Sequence, residues 1–118
     1  MKIMRDDKEN LIVQMTFQFS LDVMKFCDEL ELKRKYKMTT QLWRSGTAIG
    51  ANVREAQNAE SKADFIHKMK IAVKEADETE YCLLLCKHSK SYPVNDALLS
   101  KVSEIIRIIS KIISTSKK

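Results

Sequence analysis

The chain has few of the residues that turn or break a polypeptide: its 118 residues include only 2 glycines and 1 proline. Domains built on sheets need many turns with special backbone angles, and glycine and proline usually supply them. The shortage argues against an all-β or α/β domain and predicts long helices with few connections. Hydrophobic residues make up 44% and charged residues 31% of the chain, a balance typical of one globular domain over residues 1–118.

Histidine and cysteine are scarce as well. The two histidines, His67 and His88, are 21 positions apart, about six turns on one helix, so they cannot share a metal within a chain. Cys82 and Cys86 stand one helical turn apart, but no third and fourth ligand accompanies them, so buried thiols are favoured over a zinc site. Together with Cys27 they make an odd number, which fits a reducing compartment. We expect no metal ligand.

Sequence signatures of catalysis and cofactor binding are also missing. No serine or cysteine sits in a nucleophile elbow, and no Glu-x-x-His pair is present for a di-iron bundle. Gly46 and Gly50 lie within a helical pattern, not in the strand-to-helix turn of a phosphate or dinucleotide loop. The sequence therefore predicts a protein that is not an enzyme, with no catalytic residue and no cofactor.

The longest apolar run, Tyr81 to Cys86, is far shorter than the roughly 20 residues that cross a membrane. The first residues lack the apolar stretch of a signal peptide. Both observations predict a cytoplasmic protein with no membrane partner.

Apolar residues spaced alternately four and three apart predict four helices. Short connections force neighbouring helices to run antiparallel, so the predicted fold is all-α, an antiparallel up-down-up-down four-helix bundle. The predicted helices span about residues 10–36, 40–58, 62–88 and 94–114.

Polar residues and a proline mark the predicted helix starts. Asn10 is a plausible N-cap of the first helix, and Thr39 or Thr40 of the second. Ser61 and Asp64 approximate a capping box at the third, and Pro93 suits the first turn of the fourth. The basic cluster 33–37 is predicted to end the first helix and to complement its dipole.

Two helices carry unusual patterns. Gly46 and Gly50 inside the second helix each cost about 1 kcal/mol relative to alanine, which suggests that another backbone approaches closely. The fourth helix has more isoleucine than one bundle face requires, which predicts a second buried face and hence a homo-oligomer.

A polar stripe runs along the second and third helices. Antiparallel packing is expected to bring Arg44 or Arg54 against Glu75 or Glu78 in a partly buried network. Its interpretation stays open between a structural role in helix register and a ligand pocket. The residues of this predicted network are Arg44, Ser45, Asn52, Glu55, Glu75 and Glu78.

The formal net charge is +5, and the last 28 residues carry a surplus of +3, five bases against Asp96 and Glu104. No RNA-recognition, KH or zinc-finger pattern accompanies this charge. Repetition of the patch in an oligomer sums its field, so these residues are the candidates for nucleic-acid binding. They are Lys101, Arg107, Lys111, Lys117 and Lys118.

The stretch from Gln41 to Ala56 contains Arg-Ser, small residues around an isoleucine, and then Asn-Val-Arg-Glu. This pattern resembles the signature of the bacterial four helix bundle protein family, which includes the proteins encoded in intervening sequences of 23S rRNA genes. The next helix, Asp64 to Tyr81, resembles the subfamily in which Lys-Glu replaces a Gly-Ser pair. Cys82 departs from relatives, which often have Trp there.

The resemblance implies a bundle that assembles into a ring, commonly a homopentamer. It also implies kinship with the accessory variability determinant of diversity-generating retroelements, a basic pentameric bundle that binds nucleic acid and a reverse transcriptase. Two functions follow as hypotheses. The first is a non-enzymatic homo-oligomer that binds structured RNA or a ribonucleoprotein; the alternative is a protein–protein adaptor with no role in nucleic-acid binding.

Overall fold

The computed structural model describes residues 10–118, which form an elongated bundle of 45 × 25 × 20 Å. No strand occurs in this part of the chain. The predicted all-α four-helix bundle is confirmed. Its helices are α1 (Leu11–Leu32), α2 (Tyr36–Ala56), α3 (Lys62–His88) and α4 (Asp96–Ser116).

Each helix packs against its neighbours in the chain, and α1 also packs against α4. Two contacts show that α1 and α2 run antiparallel. At one end Asn10 donates to the side chain of Gln57 at 2.7 Å, and at the other the Cys27 thiol lies 3.7 Å from the carbonyl of Thr39. An ion pair of 3.0 Å between Lys87 and Asp96 links the end of α3 to the start of α4.

The core fills the space between the four helices with aliphatic, aromatic and small side chains. Its members follow the predicted spacing of four and three, because 3.6 residues per turn return such positions to one face. On α1 this seam consists of Ile12, Thr16, Phe19, Val23, Phe26 and Leu30, all of them buried.

The link between α1 and α2 differs from the sequence-based expectation. Helix α1 ends at Leu32 rather than near 36, and α2 begins at Tyr36 rather than near 40. The amide of Arg34 donates to Glu31 and that of Lys35 donates to Leu30, which is the Schellman pattern of helix termination. The basic cluster therefore lies in the link and at the start of α2, not in the last turn of α1.

Arg34 has a φ of 62°, the left-handed conformation that this pattern requires at its position. Glycine is the usual residue there, because a Cβ costs about 1–2 kcal/mol in this region. An arginine at this place is a local strain that the tight link imposes.

Two of the predicted caps are present and two are not. Asn10 accepts from the amide of Val13, and the Ser61 hydroxyl accepts from Asp64, whose carboxylate in turn accepts from the Glu60 amide. The prediction of Thr39 or Thr40 as a cap is wrong, because α2 already begins at Tyr36 and both hydroxyls donate to carbonyls one turn earlier, those of Lys35 and Tyr36. Pro93 lies before the fourth helix, which Asn95 caps by accepting from Leu98.

The two glycines of α2 face α1. An added Cβ at Gly46 would lie 2.7 Å from a methyl group of Val23, which is fully buried. At Gly50 it would lie 3.1 Å from the carbonyl oxygen of Thr16. The backbone of α1 thus approaches Gly50, as the sequence suggests, whereas at Gly46 the close neighbour is the Val23 side chain.

The isoleucine-rich α4 buries more of its surface within the bundle than the sequence suggests. Its flanking residues Leu99, Ile106, Ile108, Ile112 and Ile113 are partly buried and pack against the core. The most exposed large apolar side chains lie elsewhere in the described structure. They are Leu11, Phe17, Leu21, Leu32, Tyr36, Trp43, Tyr81, Leu84, Leu85 and Val94. Among the helices of residues 10–118, none is both long and apolar enough to cross a membrane.

We expect Gly46→Ala to lower the free energy of unfolding by about 1–2 kcal/mol, because overpacking against Val23 outweighs the roughly 1 kcal/mol gain in helix propensity. Urea unfolding followed by circular dichroism measures this difference. In a Val23→Ala background the same substitution should instead stabilise, since the obstructing methyl groups are gone. Stabilisation by Gly46→Ala in the unmodified protein would show that the close approach is not limiting.

Candidate functional site

A cluster of ion pairs joins the exposed edges of α2 and α3. The guanidinium of Arg44 donates to the carboxylate of Glu75 at 3.2 Å and to that of Glu78, which also accepts from the side-chain amide of Gln41. These four polar residues, two on α2 and two on α3, face one another because the helices are antiparallel and closely packed. Of the two arginines considered from the sequence, Arg44 is the one that reaches these carboxylates.

Solvent reaches this cluster. The side chain of Arg44 is 51% exposed, while those of Glu75 and Glu78 are 21% and 33% exposed. The hydrogen bond with Glu78 raises the pKa of Arg44, so its charge is permanent under all ordinary conditions. Solvated ion pairs of this kind contribute little to stability and mainly select which helix faces meet.

Directly beneath the ion pairs lies a buried pair of hydroxyls. Thr79 Oγ1 is 2.9 Å from Ser45 Oγ and 2.8 Å from the carbonyl oxygen of Glu75, and both hydroxyl side chains are fully buried. Each hydroxyl has one proton to donate. Thr79 and Ser45 must therefore each donate one hydrogen bond for both contacts to form. Small polar residues here allow the helices to approach and to remain hydrogen-bonded.

The remaining members of the predicted network lie apart from it. The Asn52 amide donates to the carbonyl of Ala48 within α2 at 2.9 Å. Glu55 lies 3.8 Å from Lys68, nearer the other end of α3. Of the six predicted residues, four therefore lie together around Arg44 and Ser45, whereas Asn52 and Glu55 each make a separate contact elsewhere.

The arrangement offers little for chemistry. Both of its carboxylates are paired with the one guanidinium of Arg44, its hydroxyls are hydrogen-bonded to each other, and no histidine takes part in these contacts. The neighbouring groove on the outer face of α2, lined by Trp43, Thr47, Ala48 and Ala51, is shallow and mostly apolar. The geometry favours a role in helix register over a ligand pocket.

The three thiols are buried, as the sequence predicts. Burial raises the pKa of Cys27 and of Cys86 to about 11, so both remain protonated at neutral pH. No group of three or more potential metal ligands occurs within residues 10–118. In the described structure the thiols act as small apolar residues of the core.

The predicted basic residues of α4 do not converge on one site. Lys101 pairs with Glu104 at 3.2 Å, and Arg107 donates to the hydroxyl of Ser103. Lys111 is exposed beside a small groove formed with Ile108. At 1.5 Å per residue, Lys101 and Lys118 are about 25 Å apart along the helix axis.

Another basic surface forms where the α1–α2 and α3–α4 links meet at one end of the bundle. Lys35 bridges the two links, because its ammonium lies 3.2 Å from the Ser91 hydroxyl and 4.6 Å from the centre of the Tyr92 ring. We call this surface the basic tip. It consists of Lys33, Arg34, Lys35, Lys37, Lys87 and Lys90.

The sequence-based interpretation explains four of the six basic-tip residues by a helix dipole and does not connect them to Lys87 and Lys90. The available signal was that both links at this end contain only basic charges, Lys33 to Lys37 in one and Lys87 to Lys90 in the other. The up-down-up-down topology places these two links at the same end of the bundle. The charge pattern and the predicted topology together therefore indicate the basic tip.

We expect Thr79→Val to lower the free energy of unfolding by about 1–2 kcal/mol, because the Ser45 hydroxyl then loses a hydrogen-bonding partner inside the core. Adding Ser45→Ala should recover part of this loss, since no polar group is then left unpaired. Glu78→Ala, on the solvated edge, should lower stability less than Thr79→Val. Equal losses for Thr79→Val and Glu78→Ala in urea titrations would contradict this ranking.

The chain is similar to a known protein family and to a solved structure. Residues 8–111 match the family described as 23S rRNA-intervening sequence protein. A similar solved structure is that of a protein with unknown function from the S23 ribosomal protein family of Bacteroides thetaiotaomicron VPI-5482, with a TM-score of 0.84 and 36% sequence identity. That match covers 91% of this chain and 98% of the other. No curated protein matches the sequence. With its four-helix fold and a match over most of its length, the chain belongs to the 23S rRNA-intervening sequence protein family.

Proposed function

We propose that the protein is a non-enzymatic, cytoplasmic homo-oligomer that binds RNA through a basic surface. The observation that carries the proposal is the set of cations at the bundle surface with no carboxylate partner in the described structure, including Lys33, Lys37 and Lys90. The family description, which refers to 23S rRNA, supports RNA as the polyanion. The polar network supports a non-enzymatic role, because both of its carboxylates are already paired with Arg44.

The physical basis is release of counterions. A nucleic acid carries a dense array of phosphates, and each one neutralised by lysine or arginine releases condensed cations into solution. Such binding needs few base contacts and depends steeply on salt. Repetition of the basic surfaces in a symmetric assembly multiplies the number of phosphates contacted at once.

We expect the purified protein to retain a labelled RNA hairpin on a filter at low salt and to lose affinity as salt rises. For a protein that contacts three phosphates of a duplex, the slope of log K against log salt is about −2.7. A titration at several salt concentrations measures this slope. Absence of retention even at the lowest salt would rule out the proposed RNA binding.

Self-association is the second part of the proposal. Phe17 and Leu21 on α1 are 59% and 38% exposed, and Trp43 on α2 is 42% exposed. The register of the two helices places these side chains along one outer face, because Gly50 packs against Thr16 and Ser20 next to them. This apolar α1–α2 face, formed by Phe17, Leu21 and Trp43 beside the shallow groove of α2, is the surface that a second copy covers in the proposed ring. A pentamer is the subunit number that the family resemblance implies.

We expect light scattering of the protein to give a multiple of the 13.6 kDa subunit mass. Phe17→Ser should lower that mass towards a single subunit without lowering helix content, because the side chain is exposed in the isolated bundle. Ile108→Ser on α4 is the control for the alternative interface that the isoleucine pattern predicts. Dissociation by Ile108→Ser alone would place the interface on α4.

A protein–protein adaptor is the second candidate, and the same apolar α1–α2 face favours it. If the protein is monomeric in light scattering, this face is available to a different protein. A protein partner that is lost from the complex on Phe17→Ser, with no nucleic acid present, would support the adaptor over the RNA-binding oligomer.

A further inference from the structure

We infer that the basic tip is the RNA contact and that it takes an unpaired strand, with phosphates at Arg34, Lys33, Lys37 and Lys90 and a base stacked on Tyr36. This inference rests on the proposed RNA binding and adds its location and the class of RNA. It assigns the principal contact to the links between helices and not to the cations of α4.

The first argument is the concentration of charge. The two links and the residues beside them, 33–38 and 87–95, contain six lysines and arginines and no carboxylate. Lys87 pairs with Asp96, and Lys35 is held by Ser91 and Tyr92. Within the described chain the other four cations take part in no ion pair, so they are free to meet phosphates.

Opposing charges lie close by but do not neutralise this surface. Asp28, Glu29 and Glu31 occupy the last turns of α1. No ion pair within 4 Å joins any of them to a cation of the tip in the described structure. By contrast Lys101 on α4 is paired with Glu104 on its own helix. The tip therefore offers four unpaired cations in two short links, whereas the basic residues from Lys101 to Lys118 are spread over about 25 Å.

The second argument is the strain at Arg34. Its φ of 62° is the one positive value among the described residues, at a position where glycine or asparagine terminates a helix at lower cost. The Arg34 side chain makes no ion pair in the described structure that would offset this cost. A strained residue whose side chain makes no ion pair within the fold indicates a role outside the fold, such as contact with a ligand.

The third argument concerns the class of RNA. Tyr36 stands between Lys35 and Lys37 in the first turn of α2, and 56% of its surface is exposed. A ring flanked by cations is the combination that binds single strands, because an unpaired base stacks on the ring while its phosphates meet the lysines. The bases of a duplex are already stacked on one another and cannot use such a ring.

The decisive variant is Arg34→Gly, for which stability and binding should move in opposite directions. Thermal unfolding should shift to higher temperature, since the strain is relieved. Affinity for a labelled oligouridylate should fall about fivefold at 0.1 M salt, which is the contribution of one phosphate contact to a single strand. The slope of log K against log salt should become shallower by about 0.7.

A matched control removes the same charge from α4. Lys111→Ala leaves the tip intact and should change affinity for oligouridylate by less than twofold. Arg34→Lys keeps the charge at the strained position and should retain most of the binding. If Arg34→Gly binds as the unmodified protein does, or Lys111→Ala shows the larger loss, the tip is not the contact.

Tyr36 tests the class of RNA. Tyr36→Ala should weaken binding of oligouridylate about tenfold, while Tyr36→Phe, which preserves the ring, should leave it unchanged. Binding of a fully paired RNA should be insensitive to either change. An equal loss for paired and unpaired RNA would overturn the assignment to single strands. Failure of the unmodified protein to bind any RNA would instead overturn the proposed function itself.

Discussion

The close approach of α1 and α2 at Gly46 and Gly50 is the constraint on which the bundle depends. A single Cβ at Gly46 would meet the buried methyl groups of Val23, and one at Gly50 would meet the backbone of Thr16. The contact fixes both the distance and the register of the two helices. It therefore also fixes how far α1 extends before the chain must turn back, which accounts for the abrupt termination at Leu32 and the left-handed backbone at position 34, but not for an arginine there.

On its other side, α2 meets α3 through polar groups. Ser45 and Thr79 hydrogen-bond in the core, and Arg44 crosses to Glu75 and Glu78 at the surface. Apolar packing alone tolerates sliding of one helix along another, whereas buried hydroxyls are satisfied in one register only. The polar network, which the sequence leaves open between a structural role and a ligand pocket, is thus best explained by the alignment of two helices. The outer surfaces of the bundle are then the candidates for function.

The basic tip and the apolar α1–α2 face follow from the same packing. Short links bring 33–35 and 89–95 to one end of the bundle, where Lys35 joins them through Ser91 and Tyr92. The register of α1 and α2 exposes Phe17 and Trp43 along one side. The basic tip lies at one end of the bundle, and the apolar α1–α2 face lies along one side. A polyanion at the tip and a second copy on the apolar face would therefore not compete for the same surface. Binding to RNA and assembly into a ring are therefore compatible within this one small fold.

The amino-acid sequence by itself determined the fold class, the number and order of helices, the α3 boundaries and most of the core, because periodic apolar residues and scarce breakers act locally. It did not determine the link at Arg34, since a cluster of basic residues continues a helix as readily as it ends one. The pairing of Arg44 rather than Arg54, and the union of two basic links into one surface, depend on helix register. Register is set by contacts between residues distant in the chain, so only the tertiary structure decided these features.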